Sequence, residues 1–68
     1  MTLSISTYQD EDGVYIAECL SIPGCVSQGD TEDEAATNLN DAIRECLAVR
    51  RELGMPLTVN IRQIEVLV

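Results

Sequence analysis

The sequence predicts an α+β domain in which a small antiparallel sheet is covered on one face by one long helix. Three observations carry that expectation. Apolar and polar residues alternate near the start with the period of half-buried strands, and a Pro23-Gly24 pair then interrupts them. From Glu32 onward, apolar residues recur at intervals of three and four, the period of a helix. The expected order is strand, strand, strand, helix, strand, as one domain over residues 1–68.

The first strand is predicted over residues 2–8, where Leu3, Ile5 and Thr7 alternate with Ser4, Ser6 and Tyr8. Gln9-Asp10-Glu11-Asp12-Gly13 then reads as a hairpin loop, with Gly13 free to take positive φ. The second strand, residues 14–20, has apolar groups on both faces. Val14, Ile16 and Leu20 share one face, and Tyr15, Ala17 and Cys19 share the other, as in a central strand. Ser21-Ile22-Pro23-Gly24 is a turn, and residues 25–28 form a short third strand closed by Gly29.

Thr31 is placed to cap a helix with its hydroxyl while Glu34 reaches back, and Glu32 and Asp33 put negative charge where the helix dipole favours it. The stripe expected to face the sheet is Ala35, Leu39, Ala42, Ile43, Cys46, Leu47 and Leu53. Arg50 and Arg51 suit the last turns, and Gly54 and Pro56 end the helix near Leu53. Leu57, Val59 and Ile61 alternate with Thr58, Asn60 and Arg62 as a fourth strand. Its parity shifts to Ile64, Val66 and Val68, the mark of a bulge near Arg62-Gln63. A helix between strands three and four makes a crossover, expected to be right-handed.

A chain of 68 residues buries a marginal core, and this one has no Phe or Trp and only Tyr8 and Tyr15 to thicken it. Self-association is one remedy for such a deficit. No basic run precedes an apolar stretch at the start and no long apolar run follows, so a cytoplasmic protein is expected. Twelve carboxylates against four arginines, with no lysine, give a net charge of −8. Such a surface repels phosphate backbones, so no direct nucleic-acid binding is expected, whereas a basic protein partner is attracted. The same acidity also serves plain solubility.

Candidate chemistry is sparse. Cys19, Cys25 and Cys46 are odd in number and match neither a zinc nor a CxxC spacing, and the absence of His removes the commonest nitrogen ligand, so neither metal nor cofactor is expected. Cys25 follows Pro-Gly near a helix start, where a thiol pKa can fall, but no His or Lys is present as its base. A packing role for Cys25 is the simpler reading. Ser27 and Gln28 suit closure of the strand-to-helix turn, and Gly29-Asp30-Thr31 lacks the glycines and lysine of a phosphate loop. Asp10-Glu11-Asp12 and Glu32-Asp33-Glu34 occupy a loop and a helix start, ordinary places for carboxylates. The expectation is a protein that is not an enzyme.

The ordered block Ile22-Pro23-Gly24-Cys25-Val26-Ser27-Gln28-Gly29-Asp30-Thr31, preceded by Glu11-Asp12-Gly13 with Tyr15-Ile16-Ala17 and followed by Glu34-Ala35-Ala36, Asn38-Leu39 and Ala42-Ile43, resembles the HicB-type antitoxin family of prokaryotic toxin–antitoxin pairs. The resemblance covers nearly the whole chain. It implies a partial ribonuclease H-like fold, a homodimer or tetramer, and a HicA-like partner, a small basic toxin that cleaves RNA and is neutralised by protein–protein contact. Complete members usually carry a DNA-binding region after this domain, and the 68 residues resemble the stand-alone N-terminal domain without it. Nuclease activity is not implied, because residues 2–8 hold none of the carboxylates that such enzymes place on core strands to bind metal ions. Partner contacts are expected on the acidic hairpin, Asp10, Glu11 and Asp12, and on the exposed side of the helix, Asp41 and Glu45. The alternative is an oligomeric domain that binds another protein or a small ligand through its second apolar face or its last strand.

Overall fold

In the computed structural model, which describes residues 1–68, three strands form an antiparallel sheet in the order β1-β2-β3. They are β1 Ile5–Gln9, β2 Tyr15–Cys19 and β3 Val26–Gly29, followed by helix α1, Glu32–Glu52. Each lies inside or within a residue of its expected range, except that β1 starts at Ile5. The expected α+β architecture is therefore present in its first four elements.

Register decides which face of each strand is the core face. Thr7 pairs with Ala17 and Ala17 with Ser27, while Ile5 pairs with Cys19. Directly opposite residues share a face, so Ile5, Thr7, Ala17, Cys19 and Ser27 all lie toward α1. The sequence left both faces of β2 apolar; the helix takes the Tyr15, Ala17, Cys19 face. The other face keeps Tyr8, Leu20 and Val26 exposed.

Two local devices bring α1 down on the sheet. The Ser27 hydroxyl donates to the Ala35 carbonyl at 2.7 Å, and the Asn38 amide donates to the Gln28 carbonyl at 2.9 Å. Gly29 has no room for a side chain, because a Cβ there would lie 2.7 Å from the Ala35 backbone nitrogen. The helix start and the strand end touch backbone to backbone. Thr31 accepts from the Glu34 amide at 3.0 Å, as a cap should, but Glu34 does not return the bond. At the far end, Gly54 donates to Arg51 and Met55 to Arg50, with Gly54 at φ 70°: the paired bonds of a Schellman cap.

The core is small: Ala17, Cys19, Ile22, Cys25, Ala35 and Leu39. Ile22 enters it from the turn, which closes through the Cys25 amide donating to the Ile22 carbonyl at 3.1 Å. Cys19 and Cys25 are buried and Cys46 half-buried, all as free thiols. The helical stripe is realised from Ala35 to Leu47 and stops there. Leu53 is exposed because 21 helical residues rise about 31 Å while a five-residue strand spans about 17 Å, so the last turns overhang the sheet.

The fourth strand is the main correction to the expected fold. Residues 57–68 form no strand, so the parity shift at Arg62-Gln63 marks no bulge, and a ribonuclease H-like sheet is not shown. The segment makes one backbone hydrogen bond, Val59 amide to Ser21 carbonyl at 2.8 Å, and residues 60–68 make none. A strand exists only where its amides and carbonyls meet a neighbour, and alternation alone supplies no neighbour.

Candidate interaction surfaces

The sheet has a hairpin end and a turn end. Gln9 pairs with Tyr15 and Tyr15 with Gly29, so β1 finishes, β2 starts and β3 finishes at the hairpin end. Helix α1 begins three residues after Gly29 and therefore starts there too. The Thr7 hydroxyl donates to the Glu32 carboxylate at 2.9 Å across this end. Chain topology thus gathers Asp10, Glu11, Asp12, Asp30, Glu32, Asp33 and Glu34 at one acidic pole.

Charge is segregated along the sequence in the same sense. Nine carboxylates and no basic side chain precede Arg44; from Arg44 onward, four arginines face three carboxylates. The pole therefore stands in a strongly negative field, and the turn end is close to neutral.

The expected contact residues divide into two groups. Glu11 and Asp12 are exposed at the pole, whereas Asp10 turns its carboxylate back to accept the amides of Asp12, at 2.9 Å, and Val14, at 3.0 Å. Asp10 thus holds the loop that presents the other two. Asp41 and Glu45 are exposed further along α1, and Glu45 borders a shallow hollow between Pro23-Gly24 and the helix. The fold does not bring these two to the hairpin. The acidic start of α1, weighed in the sequence only as candidate chemistry, is the hairpin's actual companion.

Cys25 sits under the Pro23-Gly24 turn in the core. Burial pushes its thiol from 9.0 up to about 12, and a hydrogen bond with the Cys46 thiol adds to the rise. It holds its proton at neutral pH, the opposite of an activated nucleophile. No three Cys, Asp or Glu side chains converge as metal ligands do, and no helix is long and apolar enough to cross a membrane.

One surface was not foreseen. Because α1 lies over β3 and β2 and barely reaches β1, a groove of about 510 Å³ opens between β1 and the helix. Leu3, Ile5, Leu39, Ile43 and Leu47 line it, and Arg44 is its charged residue. The outer edge of β1 beside it pairs with nothing. The alternation of Leu3 and Ile5 was visible in the sequence; the sideways offset of the helix was not.

No family model matches the chain, and neither does any solved structure. Among curated proteins, the chain is 41% identical over 44 residues to a UPF0150 protein of Thermoplasma acidophilum and 46% identical over 39 residues to one of Synechocystis sp.. Those matches cover 65% and 57% of this chain and 64% and 56% of the relatives, so the chain spans less than two thirds of the length of either. A UPF0150 protein of Archaeoglobus fulgidus is 30% identical over 66 residues, which cover 97% of this chain and 96% of that protein.

Proposed function

This chain belongs to the UPF0150 family, and on that premise we propose that it is a non-enzymatic, antitoxin-like binding domain that neutralises a small basic RNA-cleaving protein by direct contact in the prokaryotic cytoplasm. The observation that carries the reading is the acidic pole. Seven carboxylates meet at the hairpin and the start of α1 with no lysine, histidine or arginine among them, a surface that attracts a protein whose RNA-binding face is basic. The raised pKa of the Cys25 thiol supports the non-enzymatic part of the reading, and the ordered block from Ile22 to Thr31 supports the likeness to HicB-type antitoxins. A partial ribonuclease H-like sheet is part of the same reading, reached when a fourth strand stands beside β1.

Co-expression with the small basic protein encoded next to its gene tests the proposal. A complex that survives purification, and relief of that neighbour's toxicity, are expected. No complex and no rescue with any adjacent product would sink it. A second reading, a self-associating domain with a different protein partner, is favoured by the groove beside β1.

A further inference from the structure

Two thiols carried by different elements meet at the turn end of the molecule. Cys25 leaves the Pro23-Gly24 turn just before β3, and Cys46 lies on the stripe of α1 that packs against the core. The two are hydrogen-bonded to each other and neither is in a disulfide. Their access to solvent differs. Cys19 and Cys25 are each 1% exposed, whereas Cys46 is half-buried and lines a hollow of about 400 Å³ between the turn and the helix. Pro23, Val49 and Met55 form apolar parts of its wall, and Glu45 and Arg50 are its charged residues. We propose that Cys46 is the entry point for thiol–disulfide exchange with a low-molecular-weight disulfide and that Cys25 resolves the product, so that oxidation closes a Cys25–Cys46 bond between the turn and α1.

The chemistry balances between the protein and one small disulfide. The Cys46 thiolate attacks one sulfur of that disulfide, forms a mixed disulfide and releases the first small thiol. Cys25 then attacks the Cys46 sulfur, which forms the intramolecular bond and expels the second small thiol. Two electrons pass from the protein thiols to the small disulfide, and the two protons they lose end on the released thiols. Cys25 holds its proton tightly at the outset, chiefly through burial, with the Cys46 hydrogen bond and the repulsion of a Cys46 charge adding to the hold. Conversion of Cys46 to a mixed disulfide removes that repulsion and weakens that hydrogen bond, while the Arg50 charge, which favours the Cys25 thiolate, stays in place. The first step therefore prepares the second.

The competing pair is Cys19 and Cys25, whose backbones are joined by the Cys19 amide donating to the Cys25 carbonyl at 3.0 Å. Both of those thiols are shut in the core, so a small disulfide reaches neither of them first. Exposure of Cys46 thus decides the pairing. A Cys25–Cys46 bond ties the start of β3 to the second half of α1 and encloses residues 26–45, and such a cross-link takes freedom mainly from the unfolded chain. A core of only six buried residues gains from that restraint. The exchange involves the turn end alone and leaves the acidic pole as it is, so a failed search for a toxin does not bear on it.

The test treats the full chain, reduced and then freed of reductant, with oxidised glutathione. Intact mass is expected to fall by two hydrogen atoms, alkylation after unfolding to label Cys19 alone, and peptide mapping to join Cys25 to Cys46. The thermal midpoint is expected to rise by about 8 °C or more and to return on reduction. Cys25→Ala is expected to stop at the mixed disulfide, gaining the mass of one glutathionyl group on Cys46, and Cys46→Ser to stay reduced while folded. Thiols that all remain free, a Cys19–Cys25 bond, a bond between chains or an unchanged midpoint each overturn the proposal. Should Cys25→Ala not fold, Cys46→Ser decides: glutathione attached to Cys19 or Cys25 of its folded form refutes the entry role of Cys46.

Discussion

Gly29 shows how one residue sets the geometry of the whole layer. Its missing Cβ lets the Ala35 amide approach the end of β3, and the nearest atom in the way, the Ala35 nitrogen at 2.7 Å, is backbone and cannot swing aside, with the Glu34 side chain behind it at 2.9 Å. Gly29→Ala is therefore expected to destabilise by about 1–3 kcal/mol, the range for forcing an extra carbon into a packed site, measured by urea denaturation. A variant as stable as the parent would mean that α1 shifts freely over β3. Cys25 makes a second prediction, on pH. A thiol whose pKa in the fold lies above its unfolded value contributes stability that is intact below about pH 9 and lost as pH rises toward 12. The denaturation midpoint is expected to fall across that window, and to fall less in Cys25→Ala. Asp10, whose carboxylate takes two loop amides, is expected to cost about 1 kcal/mol on replacement by Ala, unlike its exposed neighbours Glu11 and Asp12.

At the scale of elements, the hairpin and the helix start act together. Both finish at the same end of the sheet, so their carboxylates add into one field although some twenty residues separate them in the chain. Reversing Glu11 and Asp12 to Lys is expected to slow association with a basic partner at low salt and to matter less at high salt, because exposed charges are screened beyond about 10 Å at 0.1 M. Stopped-flow measurement of the on-rate at two ionic strengths checks this; a rate that ignores both changes places the contact elsewhere. Helix α1 has a different imbalance. It is longer than the sheet beneath it, which leaves its last turns to be held by the Schellman cap and by Arg50 donating to the Pro56 carbonyl at 2.9 Å.

For the molecule as a whole, six core residues including two cysteines are too few to make a robust monomer. If the chain self-associates, as the second functional reading has it, folding and association are one equilibrium, and stability depends on protein concentration. The thermal midpoint is expected to rise on tenfold concentration in the parent chain and to stay fixed in Ile5→Lys, which puts a charge in the groove beside β1. Calorimetry at two concentrations reads both. A midpoint independent of concentration in the parent counts against self-association even if the chain is stable.

The sequence by itself determined the elements whose instructions are local: the Pro23-Gly24 turn, the Thr31 cap, the Gly54 stop and the helical stripe as far as Leu47. Each depends on residues within a turn or two of one another, so a short window holds all the physics. Only the tertiary structure decided which face of β2 is covered, where α1 lies across the strands, and therefore that a groove opens beside β1. It likewise joined the hairpin carboxylates to those of the helix start and left Asp41 and Glu45 apart. The tail marks the boundary between the two kinds of information. Its alternation is a real strand propensity, but a strand is a relation between two backbones, and this segment meets neither free edge of the sheet.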